Sequence, residues 1–185
     1  MTIVDEALIN LARQRLLGRA EALRAVTLGP TVERNFLLRE LRQGEADAGV
    51  TTWLSGDIWP YPKAQPTLYV IRLADAAIAG QLVNGLPARA ARDFAAPKEN
   101  KGTEGSATLY VGSSEDVKKR LREHLWQAHP LTYALHLGRW CVETEETLSV
   151  SLQPILNGGD REVRQELEDT VWRQLTPRLG KPGGR

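Results

Sequence analysis

Two side chains in one basic segment are suited to act together on a phosphate group. Arg120 and His124 are four residues apart within residues 109–125, so on a helix both leave from the same face. Tyr110 precedes them in a β-type tripeptide, Tyr-Val-Gly. A guanidinium binds phosphate oxygens through forked donors, and an imidazole exchanges a proton near neutral pH. This combination indicates a site that handles phosphate.

Matching residues lie on both sides of this segment. A second β-type tripeptide, Thr-Leu-Tyr, ends at Tyr69, and a helical stretch near the C-terminus carries Glu168 nine residues before Pro177. Together with the Tyr-Val-Gly tripeptide and the Arg-x-x-x-His spacing, these residues resemble the signature of the GIY-YIG nuclease superfamily. The resemblance covers residues 66–180.

The resemblance implies an α/β fold with a small three-stranded sheet flanked by helices, in the order β-β-α-β-α. This core would occupy residues 66–185 and would contain an insert at residues 73–107, between its first two strands. A hairpin loop needs only about two to five residues, so the insert is additional to the core. Residues 1–62 would form an N-terminal helical extension and a linker.

The resemblance further implies a metal-dependent endonuclease that hydrolyses phosphodiester bonds in nucleic acid, with double-stranded DNA favoured and RNA left open. Such a reaction needs an activated water, neutralised phosphoryl oxygens and help for the leaving oxygen. The implied cofactor is Mg²⁺, which binds one or two carboxylates together with waters and phosphate oxygens. Glu168 is the implied metal ligand. The alternative interpretation is a helix-surface glutamate paired with Arg164 or Arg173.

Four further residues have implied catalytic roles. Arg120 would bind the scissile phosphate through its forked donors. Tyr69 would be the general base, which requires that its phenol pKa, normally about 10, be lowered. Tyr110 would orient the phosphate or the water, and His124 would hydrogen-bond a tyrosine hydroxyl and relay its proton. The alternatives are tyrosines that pack in the core and a basic helix face exposed to solvent.

A second set of residues is predicted to bind the substrate without taking part in the chemical step: Gly112, Lys118, Lys119, Arg122 and Lys181. The glycine lacks a Cβ, so the chain can turn tightly from strand to helix while a phosphate approaches its backbone. The four cations would contact the phosphate backbone of a nucleic acid.

The sequence departs from the family pattern at three places. Thr67 replaces the first glycine, the loop between the two tyrosine strands is long, and Gly180 stands where many members have Asn. The formal net charge of +1 is also low for a protein that binds nucleic acid. The alternative hypothesis is therefore a catalytically weak or inactive nucleic-acid-binding module of the same fold. The third hypothesis is a helix-rich interaction protein that resembles the family by accident.

Composition bounds the class of protein. With 185 residues, 42% hydrophobic and 25% charged, the chain has the size and balance of one soluble core. No stretch approaches the roughly 20 apolar residues of a membrane span, so no membrane partner is expected. Cys141 is the single cysteine, which excludes an internal disulfide and favours the cytoplasm. The charge-balanced N-terminal helices suit a helical cap or a dimer surface, so a homodimer stays open.

Hydrophobic periodicity and turn residues predict the elements that must position these side chains. Helices are expected at residues 4–23, from 30 to about 41, in two short pieces within 74–94, and at 115–127, 131–140 and 160–175. Strands are expected at residues 67–71, 108–111 and 148–156. Residues 95–106 have little to bury and are expected to be mobile.

Overall fold

A computed structural model of the chain describes residues 5–55, 58–126 and 128–183. Within these residues the fold is α/β, with seven α-helices and five β-strands. Their order along the chain is α1 (Glu6–Arg24), β1 (Thr27–Leu28), β2 (Val32–Leu37), α2 (Leu38–Gln43), α3 (Glu45–Trp53), β3 (Thr67–Leu73), α4 (Ala76–Asn84), β4 (Thr108–Ser114), α5 (Val117–Leu125), α6 (Leu137–Trp140), β5 (Thr147–Asn157) and α7 (Arg161–Leu175).

The five strands form one antiparallel sheet. β3 lies in the middle and pairs with β4 on one side and with β5 on the other. The far edge of β5 pairs in succession with β2 and β1, whose registers follow one another along it. The three predicted strands are all present and each is longer than predicted. The prediction of a three-stranded sheet is wrong, because β1 and β2 add to it.

The helix predicted to begin near residue 30 is a strand in its first half. Val32 and Phe36 point toward the core while Glu33 and Asn35 are exposed, which is the two-residue period of a strand. The chain turns into α2 only after residue 37, and Leu41 is buried there. The N-terminal extension therefore contributes two strands to the sheet as well as helices.

The other predicted elements differ mainly in their bounds. The predicted helices at 4–23 and 160–175 correspond to α1 and α7, and Asp160 caps α7 by accepting a hydrogen bond from the Val163 amide, 2.9 Å away.

The basic helix is α5; its predicted end at Gln127 and the start of the first helix at Val4 lie outside the described residues. Of the helix predicted over 131–140, only α6 forms. The predicted helix pair in 74–94 is α4 and one 3-10 turn, Arg89–Ala91.

The segment 95–106 is held against the C-terminal end of the chain. The Asn100 amide donates to the Arg178 carbonyl at 2.8 Å, and the Gly180 amide donates to the Lys98 carbonyl at 2.9 Å. The Arg178 side chain, 7% exposed, donates to the Ser106 carbonyl at 2.8 Å. The segment buries few side chains, as expected, but its backbone carbonyls accept from a buried cation and tie it to the C-terminal end of the chain. Its mobility stays a prediction.

Replacing residues 95–106 by a short Gly-Ser linker is expected to lower the melting temperature. The change removes the Ser106 and Glu104 carbonyls that accept from Arg178 and leaves that cation buried. Hydrogen bonds to a charged group contribute about 1.5–3 kcal/mol each, so the loss of two costs about 3–6 kcal/mol and a fall of about 6–24 °C is expected for a chain of this size. Circular dichroism melts measure it, and a melting temperature equal to that of the wild type would contradict the contact.

None of the helices in the described ranges is long and apolar enough to cross a membrane. Cys141 is buried beside α6, and its Sγ lies 3.4 Å from the Leu38 carbonyl. Burial raises the pKa of this thiol to about 12, so it packs as a small apolar side chain and is not a nucleophile at neutral pH.

Candidate active site

The sheet presents both signature tyrosines on one face. Tyr69 of β3 lies directly opposite Gly112 of β4, and Tyr110 lies opposite Ile71, so all four residues share a face. The two phenol rings stack with centroids 6.2 Å apart and planes 18° apart. Their edges meet the imidazole of His124, whose centroid is 5.5 Å from the first ring and 4.7 Å from the second. α5 thus brings its histidine onto the tyrosine face.

A glycine is needed at position 112, but not for the strand-to-helix turn that the sequence predicts. It lies within β4 and not at a strand-to-helix turn, which begins only after Ser114. A Cβ at position 112 would lie 2.4 Å from Tyr69 Oη and 3.0 Å from a ring carbon of Tyr110. The absent side chain makes room for the hydroxyl of the tyrosine that lies opposite.

Gly112→Ala is therefore expected to displace the Tyr69 hydroxyl. Overpacking of this kind costs about 1–3 kcal/mol of stability. Circular dichroism melts measure this loss. Gly18→Ala is the control, since a Cβ there meets nothing within 4 Å. A Gly112→Ala variant with wild-type stability would show that the hydroxyl does not need this space.

The Tyr69 hydroxyl oxygen accepts two hydrogen bonds. The Leu135 amide donates to His124 Nδ1 at 3.1 Å, so Nδ1 carries no proton and the ring proton is on Nε2. Nε2 therefore donates to Tyr69 Oη, 3.0 Å away. Arg120 Nε donates to the same oxygen at 3.3 Å. Both acceptor positions are used, so the hydroxyl is left to donate to a further partner, and Tyr69 is among the residues that line a cavity.

This arrangement differs from the predicted proton relay. A ring nitrogen that already holds a proton cannot accept the proton of Tyr69, so His124 acts as a hydrogen-bond donor to the oxygen. Its ring is completely buried, and the Leu135 amide fixes its orientation. The two donors on Oη stabilise a negative charge on that oxygen more than they stabilise the neutral phenol.

Burial works against ionisation of the tyrosines. Desolvation raises the pKa of Tyr69 far above its ordinary value, and the nearby Tyr110 adds to this, while Arg120 acts in the opposite direction. Burial also raises the pKa of Tyr110, again partly offset by Arg120. The lowered pKa expected for Tyr69 is therefore not present in the structure, and its phenol is protonated at neutral pH.

The guanidinium of Arg120 is held from three sides. Besides Tyr69 Oη it contacts Glu123 Oε2, 2.9 Å from Nη1, and the Tyr133 carbonyl, 2.7 Å from Nη2. Its side chain is 13% exposed. It is a fixed, mostly buried cation at the cavity wall and does not belong to a solvated helix face.

Glu168 of α7 reaches the same cavity from the other side. Its Oε2 accepts a hydrogen bond from Ser113 Oγ at 2.6 Å. Burial raises the pKa of Glu168, and the Ser113 hydroxyl lowers it in part. Ser113 is not among the residues predicted from the sequence. Its position directly after the Tyr-Val-Gly tripeptide is the signal that could have indicated it, because this end of β4 faces α7.

The cavity has a volume of about 650 Å³ and collects most of the predicted site residues. The predicted residues that line it are Tyr69, Tyr110, Gly112, Lys119, Arg120, Glu168 and Lys181. His124 lies behind it, against Tyr69. Two predicted substrate-binding residues do not line it: Lys118, and Arg122, whose Nη2 donates to Asp47 of α3 at 3.1 Å.

The acids of the cavity differ in their partners. Glu115 pairs with Arg164, Asp116 lies 3.5 Å from Lys63, and Glu123 pairs with Arg120. Glu168 instead accepts from the neutral hydroxyl of Ser113. Across the part of the chain that the structure describes, no group of three or more His, Cys, Asp or Glu side chains is arranged to hold a metal ion. The set fits a Mg²⁺ ion whose coordination is completed by water and substrate, and it does not fit a preformed protein cage.

Fold and site together define an α/β protein with an antiparallel sheet and a polar cavity lined by two tyrosines, a fixed arginine and a half-buried carboxylate. Comparison of the chain with protein-family models, with curated proteins and with solved structures finds no match.

Proposed function

We propose that the protein is a metal-dependent endonuclease of the GIY-YIG type, which hydrolyses phosphodiester bonds in nucleic acid. The observation that carries the proposal is the placement of the Tyr69 hydroxyl between two donors at the wall of a cavity shared with Glu168. The residues that supply it come from β3, α5 and α7, which are far apart in the sequence. Packing of the core alone does not require a phenol oxygen that accepts two hydrogen bonds at a cavity wall.

Arg120 and Glu168 are suited to the two charges of the reaction. Arg120 would bind the phosphate oxygens and stabilise the charge that develops on them. Glu168 would hold a Mg²⁺ ion, which when bound polarises the phosphoryl group and neutralises its charge. Ser113 positions the carboxylate by its hydrogen bond to Oε2.

Tyr69 would move the proton of the attacking water. The neutral phenol already holds a proton, so it would first release that proton to solvent, and the phenolate would then accept a proton from the attacking water. His124 and Arg120 donate to the same oxygen and would stabilise this phenolate. Tyr110 stacks against Tyr69 and fixes its ring, and its own hydroxyl end lines the cavity.

The cavity lining carries a small excess of positive charge. Among the described residues, five cations line it, Lys119, Arg120, Arg161, Arg164 and Lys181, together with four acids, of which Glu115, Asp116 and Glu123 pair with cations and Glu168 accepts from Ser113. This excess suits a phosphate backbone, whose binding weakens as the salt concentration rises. We propose DNA as the substrate, with double-stranded DNA as the first to test.

Nicking of a supercoiled plasmid tests the proposal. The wild-type protein is expected to convert it to open-circular and linear forms with Mg²⁺, and addition of EDTA is expected to stop the conversion. A protein that binds the plasmid in gel shifts and leaves it intact with Mg²⁺ or Mn²⁺ would contradict the proposed activity. That result would favour a binding module of the same fold.

A further inference from the structure

A second cavity, of about 800 Å³, lies beside the candidate active site. One wall is built by residues 83–99 of the insert, and the other by residues 130–133. Tyr133 lines both cavities, and its carbonyl accepts from Arg120 of the first. On the opposite rim the Gly180 amide donates to Lys98 of the second cavity, and the next residue, Lys181, lines the first. The two cavities therefore lie next to each other, with Tyr133 in the lining of both.

The lining of the second cavity is apolar along its walls. Three prolines, at positions 87, 97 and 130, line it together with Leu131, Tyr133 and the largely buried Phe94. Leu131 follows Pro130 directly and is 82% exposed, although it is a large hydrophobic residue. Flat apolar and aromatic surfaces of this kind stack against planar rings.

Cations lie at the same walls. Arg89, Arg92 and Lys98 line the cavity, and the Arg92 guanidinium lies 6.0 Å from the centre of the Phe94 ring. Two acids, Asp93 and Glu99, also line the cavity, and Asp93 lies 3.5 Å from Arg139, so in the described part of the chain three lining cations face two acids. The walls thus combine a net positive charge with stacking surface.

We propose that this second cavity, which we call the insert groove, binds an unpaired nucleic-acid strand that continues from the active-site cavity. A strand without a partner exposes both phosphates and base faces, so it uses the cations and the apolar walls together. A duplex exposes its phosphates and keeps its bases stacked inside, so it would leave the apolar walls uncovered. This inference rests on the proposed function for the path of the strand, and it assigns unpaired or splayed segments as the preferred substrate.

Fluorescence anisotropy in EDTA tests the groove without any cleavage. The probes are a labelled 12-nucleotide single strand and the duplex of the same sequence. Arg89→Gln combined with Arg92→Gln is expected to weaken single-strand binding about tenfold and to reduce the slope of log K against log salt by about 0.7 for each lost phosphate contact. Duplex binding is expected to change by less than about twofold. The matched control is Arg13→Gln combined with Arg15→Gln on the exposed helix α1, which removes the same charge.

Leu131→Asp is the second variant, because this side chain is so exposed that its replacement does not endanger folding. It places a negative charge on the apolar wall and is expected to weaken single-strand binding by about tenfold, or about 1.4 kcal/mol, through repulsion of the phosphates and loss of apolar contact. Unchanged single-strand affinity in both groove variants would overturn the proposal. So would an equal loss in the control variant.

Hydrolysis of a small diester, bis(p-nitrophenyl) phosphate, separates this inference from the proposed function, because that substrate fills only the active-site cavity. Wild-type and groove variants are expected to hydrolyse it equally with Mg²⁺. Hydrolysis together with unaltered single-strand binding would overturn the groove and leave the endonuclease intact. Groove-dependent binding without hydrolysis of the diester or the plasmid would support the groove and overturn the endonuclease.

Discussion

Glu168→Gln is expected to reduce plasmid cleavage by about a thousandfold, because several kcal/mol of metal-dependent stabilisation are lost at about 1.4 kcal/mol per tenfold. The amide keeps the shape of the side chain and can still accept from Ser113 Oγ, so the fold is preserved. Single-turnover cleavage with excess protein measures the effect. Glu166→Gln is the matched control: it lies on the same helix, outside the cavity, and removes the same charge.

The same substitution is expected to stabilise the protein at neutral pH. Burial raises the pKa of Glu168 in the folded state above 4.5, its ordinary value, which applies in the unfolded state. At a pH between the unfolded-state and the folded-state pKa, the folded protein therefore holds a proton that the unfolded chain has lost. The free energy of unfolding of the wild type therefore falls as the pH rises through this window, and Glu168→Gln does not show that loss.

Melting temperatures measured from pH 4 to pH 8 check this expectation. The difference between Glu168→Gln and the wild type is expected to be small near pH 4 and to grow toward pH 7. A variant that loses cleavage and gains stability has lost a functional group. Loss of both cleavage and stability would instead indicate that the carboxylate has a structural role.

Tyr69→Phe is expected to reduce cleavage by about 10²–10⁴-fold, the usual contribution of a positioned acid or base. Phenylalanine keeps the ring that stacks on Tyr110, so DNA affinity is expected to stay at the wild-type value. Anisotropy and single-turnover cleavage, measured on the same preparation, separate binding from turnover. Tyr61→Phe is the control, since that ring packs on Trp59 away from the cavity. Equal cleavage by Tyr69→Phe and the wild type would remove the hydroxyl from the reaction.

The pH profile gives an independent test of the same residue. Because burial raises the pKa of Tyr69, the fraction of phenolate is small at pH 7 and rises with pH. The wild-type cleavage rate is therefore expected to increase from pH 6 to pH 9. The residual rate of Tyr69→Phe is expected to depend much less on pH. A wild-type rate that falls over this range would contradict a role for the phenolate.

Local pattern was sufficient for elements whose apolar period is unambiguous. The strand around Tyr69, the strand around Tyr110 and the capped helix after Asp160 form where they were predicted. The strand β2 was predicted as a helix because Val32 and Phe36 are four residues apart, a spacing that fits both a helix and a strand. Its pairing with β5, more than a hundred residues away, decides between them.

The contacts that define the site depend on long-range registers that a single sequence does not display. The need for glycine at 112 follows from its pairing with Tyr69 across the sheet. The proton position on His124 is set by the Leu135 amide, eleven residues away. Arg122 lies on the same basic helix as Arg120, yet α3 provides Asp47 as its partner. Residue type and spacing selected the cluster, whereas tertiary packing determined which members face the cavity.

A crystal structure of Tyr69→Phe with an uncleaved oligonucleotide and Mg²⁺ tests most directly whether these side chains form one phosphodiester-cleaving site. A backbone phosphate in the cavity, in contact with Arg120, and a Mg²⁺ ion in contact with Glu168 and that phosphate are the predicted result. A nucleic acid bound elsewhere on the surface, or a metal ion that does not contact Glu168, would contradict the account.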